Sequence, residues 1–103
     1  MTHRISFRPE AEADLLALYG YIAERSGNRI ASRYISAIET ACLNLATFPE
    51  RGASREDLGP GIRLLNVKRR VTVAYLVDRE SVRIVRVFYA GRDYEAELMG
   101  DDT

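Results

Sequence analysis

Residues 62–89 read IRLLNVKRRVTVAYLVDRESVRIVRVFY, and the period of this stretch decides the fold. Apolar and polar side chains alternate through Ile62 to Val67, Val71 to Val77 and Ser81 to Tyr89. The three runs are rich in β-branched and aromatic residues, which marks three strands. Lys68-Arg69-Arg70 and Asp78-Arg79-Glu80 separate them. Links this short join only antiparallel neighbours, because a parallel crossover needs about a dozen residues or more. The third run carries apolar side chains on both faces, with Val82, Ile84 and Phe88 set against Val85, Val87 and Tyr89. That pattern suits a central strand covered on one side by helices.

Upstream, residues 49–61 (PERGASREDLGPG) have the composition of an irregular connection, with room for a short helical turn at Ser54 to Leu58. Before it the period changes from two to 3.6. Ala31, Tyr34, Ile38, Ala41, Leu45 and Phe48 follow in steps of three and four, which predicts a helix capped by Asn28 and stopped by Pro49. An earlier helix over about 9–26 starts at Pro9, has acids at Glu10, Glu12 and Asp14 near its positive end, and carries the stripe Leu15, Leu18, Tyr19 and Ile22. With only Gly27 and Asn28 between them, the helices form an antiparallel hairpin. Residues 3–8 alternate around Ile5 and Phe7 until Arg8-Pro9 ends the run, and this strand is the natural remaining neighbour of Ser81–Tyr89.

The expected fold is therefore α+β in a single domain spanning residues 1–103. It comprises an N-terminal strand (1–8), an antiparallel two-helix hairpin (9–48), a loop (49–61), a three-stranded meander (62–90) and an acidic tail (91–103). The hairpin packs on a small twisted antiparallel sheet.

Composition narrows the function. With 47% hydrophobic residues the chain can bury a core without disulfides or metal, and its one cysteine, Cys42, sits in an apolar helical stretch as a small core residue. No apolar run approaches the roughly 18 residues that span a bilayer, so the reading is a soluble, cytoplasmic protein without membrane contact. The lone histidine, His3, precedes the first strand, and no nucleophile elbow, phosphate loop, dinucleotide fingerprint or metal-ligand pair is present. No cofactor or metal is expected. The net charge of zero is unevenly spread: residues 62–92 hold eight basic side chains against Asp78 and Glu80, whereas Asp93 onward holds five acids and no base. Arg63, Arg83, Arg86 and Arg92, with Tyr94 and Glu95, have the chemistry for acid–base cleavage of RNA, arginines stabilising the phosphorane while a tyrosine or glutamate moves protons. The same arginines suit an acidic peptide equally well, through bidentate pairs.

Several segments, in order, resemble the ParE branch of the RelE/ParE toxins. They are Phe7-Arg8-Pro9-Glu10-Ala11 with Asp14-Leu15; Tyr21-Ile22-Ala23-Glu24; Leu45-Ala46 with Phe48-Pro49-Glu50-Arg51-Gly52; Asp57-Leu58 with Pro60-Gly61-Ile62-Arg63; and Val87-Phe88-Tyr89-Ala90-Gly91-Arg92-Asp93. The resemblance covers about Ile5 to Leu98. It implies the same hairpin-on-sheet fold and the toxin half of a type II toxin–antitoxin pair. Such a protein inhibits growth by acting on DNA gyrase, serves in plasmid stabilisation, and is neutralised by a ParD-like antitoxin.

The RelE branch instead cuts messenger RNA on the ribosome. This chain departs from it at Thr72, where relatives usually carry an arginine, at Asp93 after Arg92, where they tend to carry a further base, and near Met99, where they often use tyrosine or histidine. A non-catalytic gyrase inhibitor is therefore the preferred reading, with a ribosome-dependent endoribonuclease using Arg63, Arg83, Arg92 and Tyr94 as the alternative. Under either, an amphipathic antitoxin helix is expected along the hairpin at Leu15, Tyr19 and Ile22, and an acidic antitoxin segment on Arg63, Arg83 and Arg86. Tyr89, Arg92 and Tyr94 are the residues expected to carry toxicity. No sequence-specific nucleic-acid binding by the toxin alone is expected.

Overall fold

The computed structural model describes residues 2–89. In chain order it runs through β1 (Arg4–Phe7), α1 (Pro9–Ser26), α2 (Asn28–Leu43), a 3-10 turn (Asn44–Ala46), β2 (Ala53–Ser54), a second 3-10 turn (Glu56–Leu58), β3 (Ile62–Val67), β4 (Val71–Val77) and β5 (Ser81–Tyr89). The sheet order is β1-β5-β4-β3-β2. β2, β3, β4 and β5 pair antiparallel in succession, whereas β1 joins β5 in parallel, Arg4 opposite Ser81 and Phe7 opposite Ile84. The fold is thus α+β with a mostly antiparallel sheet. The parallel pair arises because the whole helical hairpin and three strands separate β1 from its neighbour, long enough for a crossover.

Local chemistry accounts for the corners. Arg8 takes φ −70° and ψ 153°, the extended geometry imposed on a residue before proline, and α1 starts at Pro9 with Glu10 and Glu12 in its first turn. Gly27 does two jobs at φ 93°, where a side chain would be strained. Its N–H donates to the Ala23 carbonyl and closes α1, and its own carbonyl accepts from the Ala31 N–H and opens α2. The cap is therefore Gly27 rather than Asn28, which is already helical. α2 also ends earlier than its apolar period suggests. Its last turn tightens into the 3-10 segment, and Phe48 lies 61% exposed instead of completing the stripe. Leu43, Asn44 and Thr47 keep right-handed helical geometry through this turn, and Pro49 disfavours it at Phe48, which stops the chain from continuing as a helix. In the connection, the expected helical turn is present at Glu56–Leu58, and Ala53–Ser54 adds a two-residue edge strand opposite Leu64 and Arg63.

The core lies between the hairpin and one face of the sheet. Ala11, Leu15, Leu18 and Ile22 of α1 and Ala31, Ile38 and Cys42 of α2 meet Val67, Val71, Val73, Tyr75, Val82, Ile84 and Val87. Burial pushes the Cys42 thiol up to about 12, with Glu39 adding to the effect, so this cysteine is an inert packing residue. One register change corrects the face assignment of β5. Ala74 opposes Arg86 but Tyr75 opposes Ile84, so Val85 is a bulge residue. The bulge reverses the alternation: Val82, Ile84 and Val87 share the helix-covered face, whereas Phe88 sits with Arg83 and Arg86 on the other.

Candidate functional site

The helical hairpin presents its outer side as a shallow groove of about 270 Å³ lined by Glu12, Leu15, Leu16, Tyr19, Ile35 and Glu39. Of the three anchors expected from sequence, Leu15 and Ile22 are each 8% exposed and belong to the core, with Leu15 also forming part of the groove floor. Tyr19 is half-buried at the groove. Leu16, 75% exposed, was not among those anchors and is the most accessible large apolar side chain of the described residues. The signal for it is in the sequence: Leu16 lies one residue off the buried Leu15–Leu18–Ile22 stripe, about 100° around the helix, so it cannot share that stripe's burial. The glutamates at either side give the groove a negative margin.

The arginines do not form one face. Strand register puts Arg63 in the row of Tyr75 and Ile84, on the helix side, and Arg83 in the row of Leu76 and Ile62, on the opposite side. Arg63 is committed to its own chain. Its Nη1 donates to the carbonyls of Glu50 and Gly52. Beside it, the fully buried Tyr75 donates its hydroxyl proton to the Pro49 carbonyl (2.8 Å) and accepts the Gly52 N–H (2.7 Å). Burial holds the Tyr75 phenol above its ordinary value, so it remains a neutral donor. Residues 49–52 are thereby clamped against β3 and β4, and Gly52 is required there, since a Cβ would stand 2.7 Å from the Leu64 carbonyl oxygen.

Arg86 is also occupied. Its Nε and Nη2 form a two-pronged ion pair with Asp14 of α1, at 2.8 and 3.1 Å, and the same carboxylate accepts the Val87 N–H at 2.9 Å. Arg83 is exposed. Tyr89 is half-buried in an aromatic group, its ring centroid 5.5 Å from that of Tyr21 and 6.4 Å from that of Tyr34. Arg92, Tyr94, Glu95 and Met99, together with the acidic tail, lie outside the described residues. Sequence reasoning thus grouped Arg63, Arg83 and Arg86 by composition, and the structure separates them by strand parity and by their partners.

No helix among the described residues is long and apolar enough to cross a membrane.

Comparison with known proteins rests on this geometry. The model of the family described as "ParE toxin of type II toxin-antitoxin system" matches residues 5–94. Toxin ParE3 of Caulobacter vibrioides is 33% identical over 94 residues, covering 91% of this chain and 92% of that protein. Among solved structures, the chromosomal ParDE toxin–antitoxin system of P. aeruginosa superposes with a TM-score of 0.76 at 23% identity, covering 86% of this chain and 97% of the other. The RelBE2 toxin–antitoxin complex of Mycobacterium tuberculosis superposes with a TM-score of 0.64 at 19% identity, covering 89% and 95%. The two superpositions establish the shared fold, and the family match over nearly the whole described chain establishes more: this chain belongs to the ParE toxin family of type II toxin–antitoxin systems.

Proposed function

We propose that the protein is a cytoplasmic, non-catalytic toxin that blocks DNA gyrase and is held inactive by a ParD-like antitoxin. The observation that carries the choice of binding over catalysis is the disposition of the arginines. An arginine-assisted phosphoryl-cleavage site needs its cations converging on one reacting phosphate. Arg63 and Arg83 instead lie on opposite faces of the sheet, and Arg63 is held by the carbonyls of Glu50 and Gly52. This weakens the alternative of a RelE-like ribonuclease built on Arg63, Arg83, Arg92 and Tyr94. Membership of the ParE family supports the gyrase reading.

The antitoxin, in this reading, lays an amphipathic helix in the hairpin groove. Leu16 and Tyr19 make the apolar contact over the floor provided by Leu15, and Glu12 and Glu39 select basic residues on the antitoxin helix. Arg83 takes the acidic antitoxin segment, since Arg63 and Arg86 already have partners within the toxin.

The deciding experiment is a gyrase supercoiling assay with the purified full chain, run beside a ribosome-dependent messenger-cleavage assay. Inhibition of supercoiling with intact messenger is expected. Messenger cleavage that is lost in Arg83→Ala, with supercoiling untouched, would reverse the assignment. For the groove, Leu16→Glu is expected to weaken antitoxin binding by tenfold or more while leaving the fold unchanged, roughly the effect of losing one central apolar contact.

A further inference from the structure

The end of the molecule formed by the α1–α2 connection, the β3–β4 turn and the last residue of β5 carries six cations that the reading above does not use. Lys68, Arg69 and Arg70 make the turn and are exposed. Lys68 and Arg33 of α2 line one hollow with Tyr34 and Ile30, and the Lys68 ammonium stands 5.6 Å from the Tyr34 ring centroid. Arg29 is four residues before Arg33 and shares its helix face. Arg25, in the last turn of α1, places its guanidinium carbon 3.8 Å from the Tyr21 ring centroid. None of the six makes an ion pair among the described residues, although Glu24 adjoins Arg25 in the chain.

Two features distinguish this group from an ordinary solvated surface. Lys68 and Arg69 take φ 53° and 68° in succession, the left-handed region where Asn and Gly sit easily and long side chains do not. Two unfavourable backbone geometries are thus retained at residues whose distinguishing property is charge. Beneath the cations, the Tyr34 hydroxyl is closed off from solvent and has no hydrogen-bond partner among the described residues, so the packing under this surface is not fully satisfied.

The cations come from three elements and do not converge on one pocket, so they match a ligand with repeated charge better than a single anion. A duplex offers one phosphate charge per about 1.7 Å of its axis, and Arg29 and Arg33 are separated by about 6 Å along α2. The tyrosines are packed on one another, so they do not form a free platform for unpaired bases. The opposite end mixes both signs, Glu10, Glu12, Asp78 and Glu80 standing with Arg4, Arg8 and Arg79, so the excess of positive charge is confined to the end that carries the six cations. We infer that this cationic end is a contact surface for the phosphate backbone of duplex DNA, without regard to base sequence. The inference holds whatever enzyme the toxin targets.

The test is fluorescence anisotropy of the full chain with a labelled duplex of arbitrary sequence, titrated with salt. The wild type is expected to bind with a log–log salt slope of roughly −3 to −5. Lys68→Asn/Arg69→Gly supplies the residues that the turn geometry favours, so it should melt no lower than the wild type, yet lose about tenfold in affinity at low salt and about 2 in slope. Arg33→Gln should flatten the slope by about 1. An unchanged affinity and slope in Lys68→Asn/Arg69→Gly overturns the inference, as does absence of duplex binding at low salt. Tighter binding to a single strand, or equal binding to polyglutamate, overturns it in favour of a different ligand.

Discussion

Replacing Tyr75 by phenylalanine isolates the clamp that holds residues 49–52. The ring is fully buried, and the substitution leaves its packing in place while deleting one oxygen. That oxygen accepts the N–H of Gly52, itself buried, and donates to the carbonyl of Pro49. Without it the Gly52 N–H has no acceptor, and an orphaned buried amide costs about 1–3 kcal/mol. The Pro49 carbonyl adds less, because its bond is only partly buried and water can replace the donor. A net loss of about 2 kcal/mol is expected, which for a domain of this size lowers the melting temperature by roughly 8–16 °C. Urea denaturation followed by circular dichroism measures it directly, with the dependence on denaturant unchanged. A loss below about 0.5 kcal/mol would mean that the hydroxyl makes no such bonds. Gly52→Ala provides a second check, because its Cβ would meet the Leu64 carbonyl oxygen and the Tyr75 hydroxyl, each at 2.7 Å. Removing the hydroxyl relieves one of three close contacts, the Leu64 carbonyl oxygen and the Tyr75 Cε1, at 2.8 Å, remaining. The double variant should therefore cost less than the sum of the singles, and strict additivity would show that the two groups do not touch.

Asp14→Ala should cost about 2–3 kcal/mol in chemical denaturation, since it removes the two-pronged pair with Arg86 and orphans the Val87 N–H; a loss under about 1 kcal/mol would reject the pairing. Gly27→Ala should cost about 1–3 kcal/mol through backbone geometry alone, because φ 93° with ψ 163° is occupied readily only by glycine while nothing lies within 4 Å of the added methyl group, and Gly27→Asn, which suits only the left-handed helical region, should not recover the loss. The Asp78 carboxylate is held below its ordinary value by the Ser81 hydroxyl and by the N–H groups of Glu80 and Ser81. A depressed folded-state value means that its contribution is complete above the unfolded-state pKa, near 4, and drains away as pH falls through the folded value. Asp78→Ala should therefore melt below the wild type at neutral pH, with the gap closing in acid; a gap independent of pH would assign the effect to something other than the charge.

The strands of the meander, the extent of α1 and the antiparallel hairpin were all readable, because each rests on a local period and on turns too short to permit another connection. What escaped depends on partners far away in sequence. The bulge at Val85 is set by its pairing with Ala74 and Tyr75, and one inserted residue was enough to move Phe88 off the core face. Strand parity likewise put Arg63 and Arg83 on opposite sides, although both stand in a basic stretch. The groove was half legible: the Leu15 stripe identified the hairpin surface, but the same periodicity buries that stripe, and the exposed contact falls on Leu16.

Two of the segments that carry the family resemblance, around Arg8–Asp14 and Pro49–Gly52, share one physical task, which is to complete a sheet too small to satisfy its own backbone. β1 has four residues against nine in β5, so the far half of β5 has no strand on its β1 side. Arg8-Pro9 turns the chain out of β1 directly into α1, the Arg8 N–H donates to the Ile84 carbonyl, and Asp14 receives the Val87 N–H that a longer β1 would have taken. At the other edge β2 has only two residues, and Pro49-Glu50-Arg51-Gly52 continues the cover, held by Arg63 and Tyr75 through main-chain carbonyls and one main-chain N–H. Unsatisfied buried backbone groups are costly and their replacements must fit closely, so these positions tolerate few alternatives. The groove residues and the cationic turn face solvent and carry no such constraint. Recognition by motif therefore identifies the fold through its repairs at the sheet edges, whereas the partners proposed above depend on exposed side chains such as Leu16, Arg83 and Lys68, which the fold leaves free to vary.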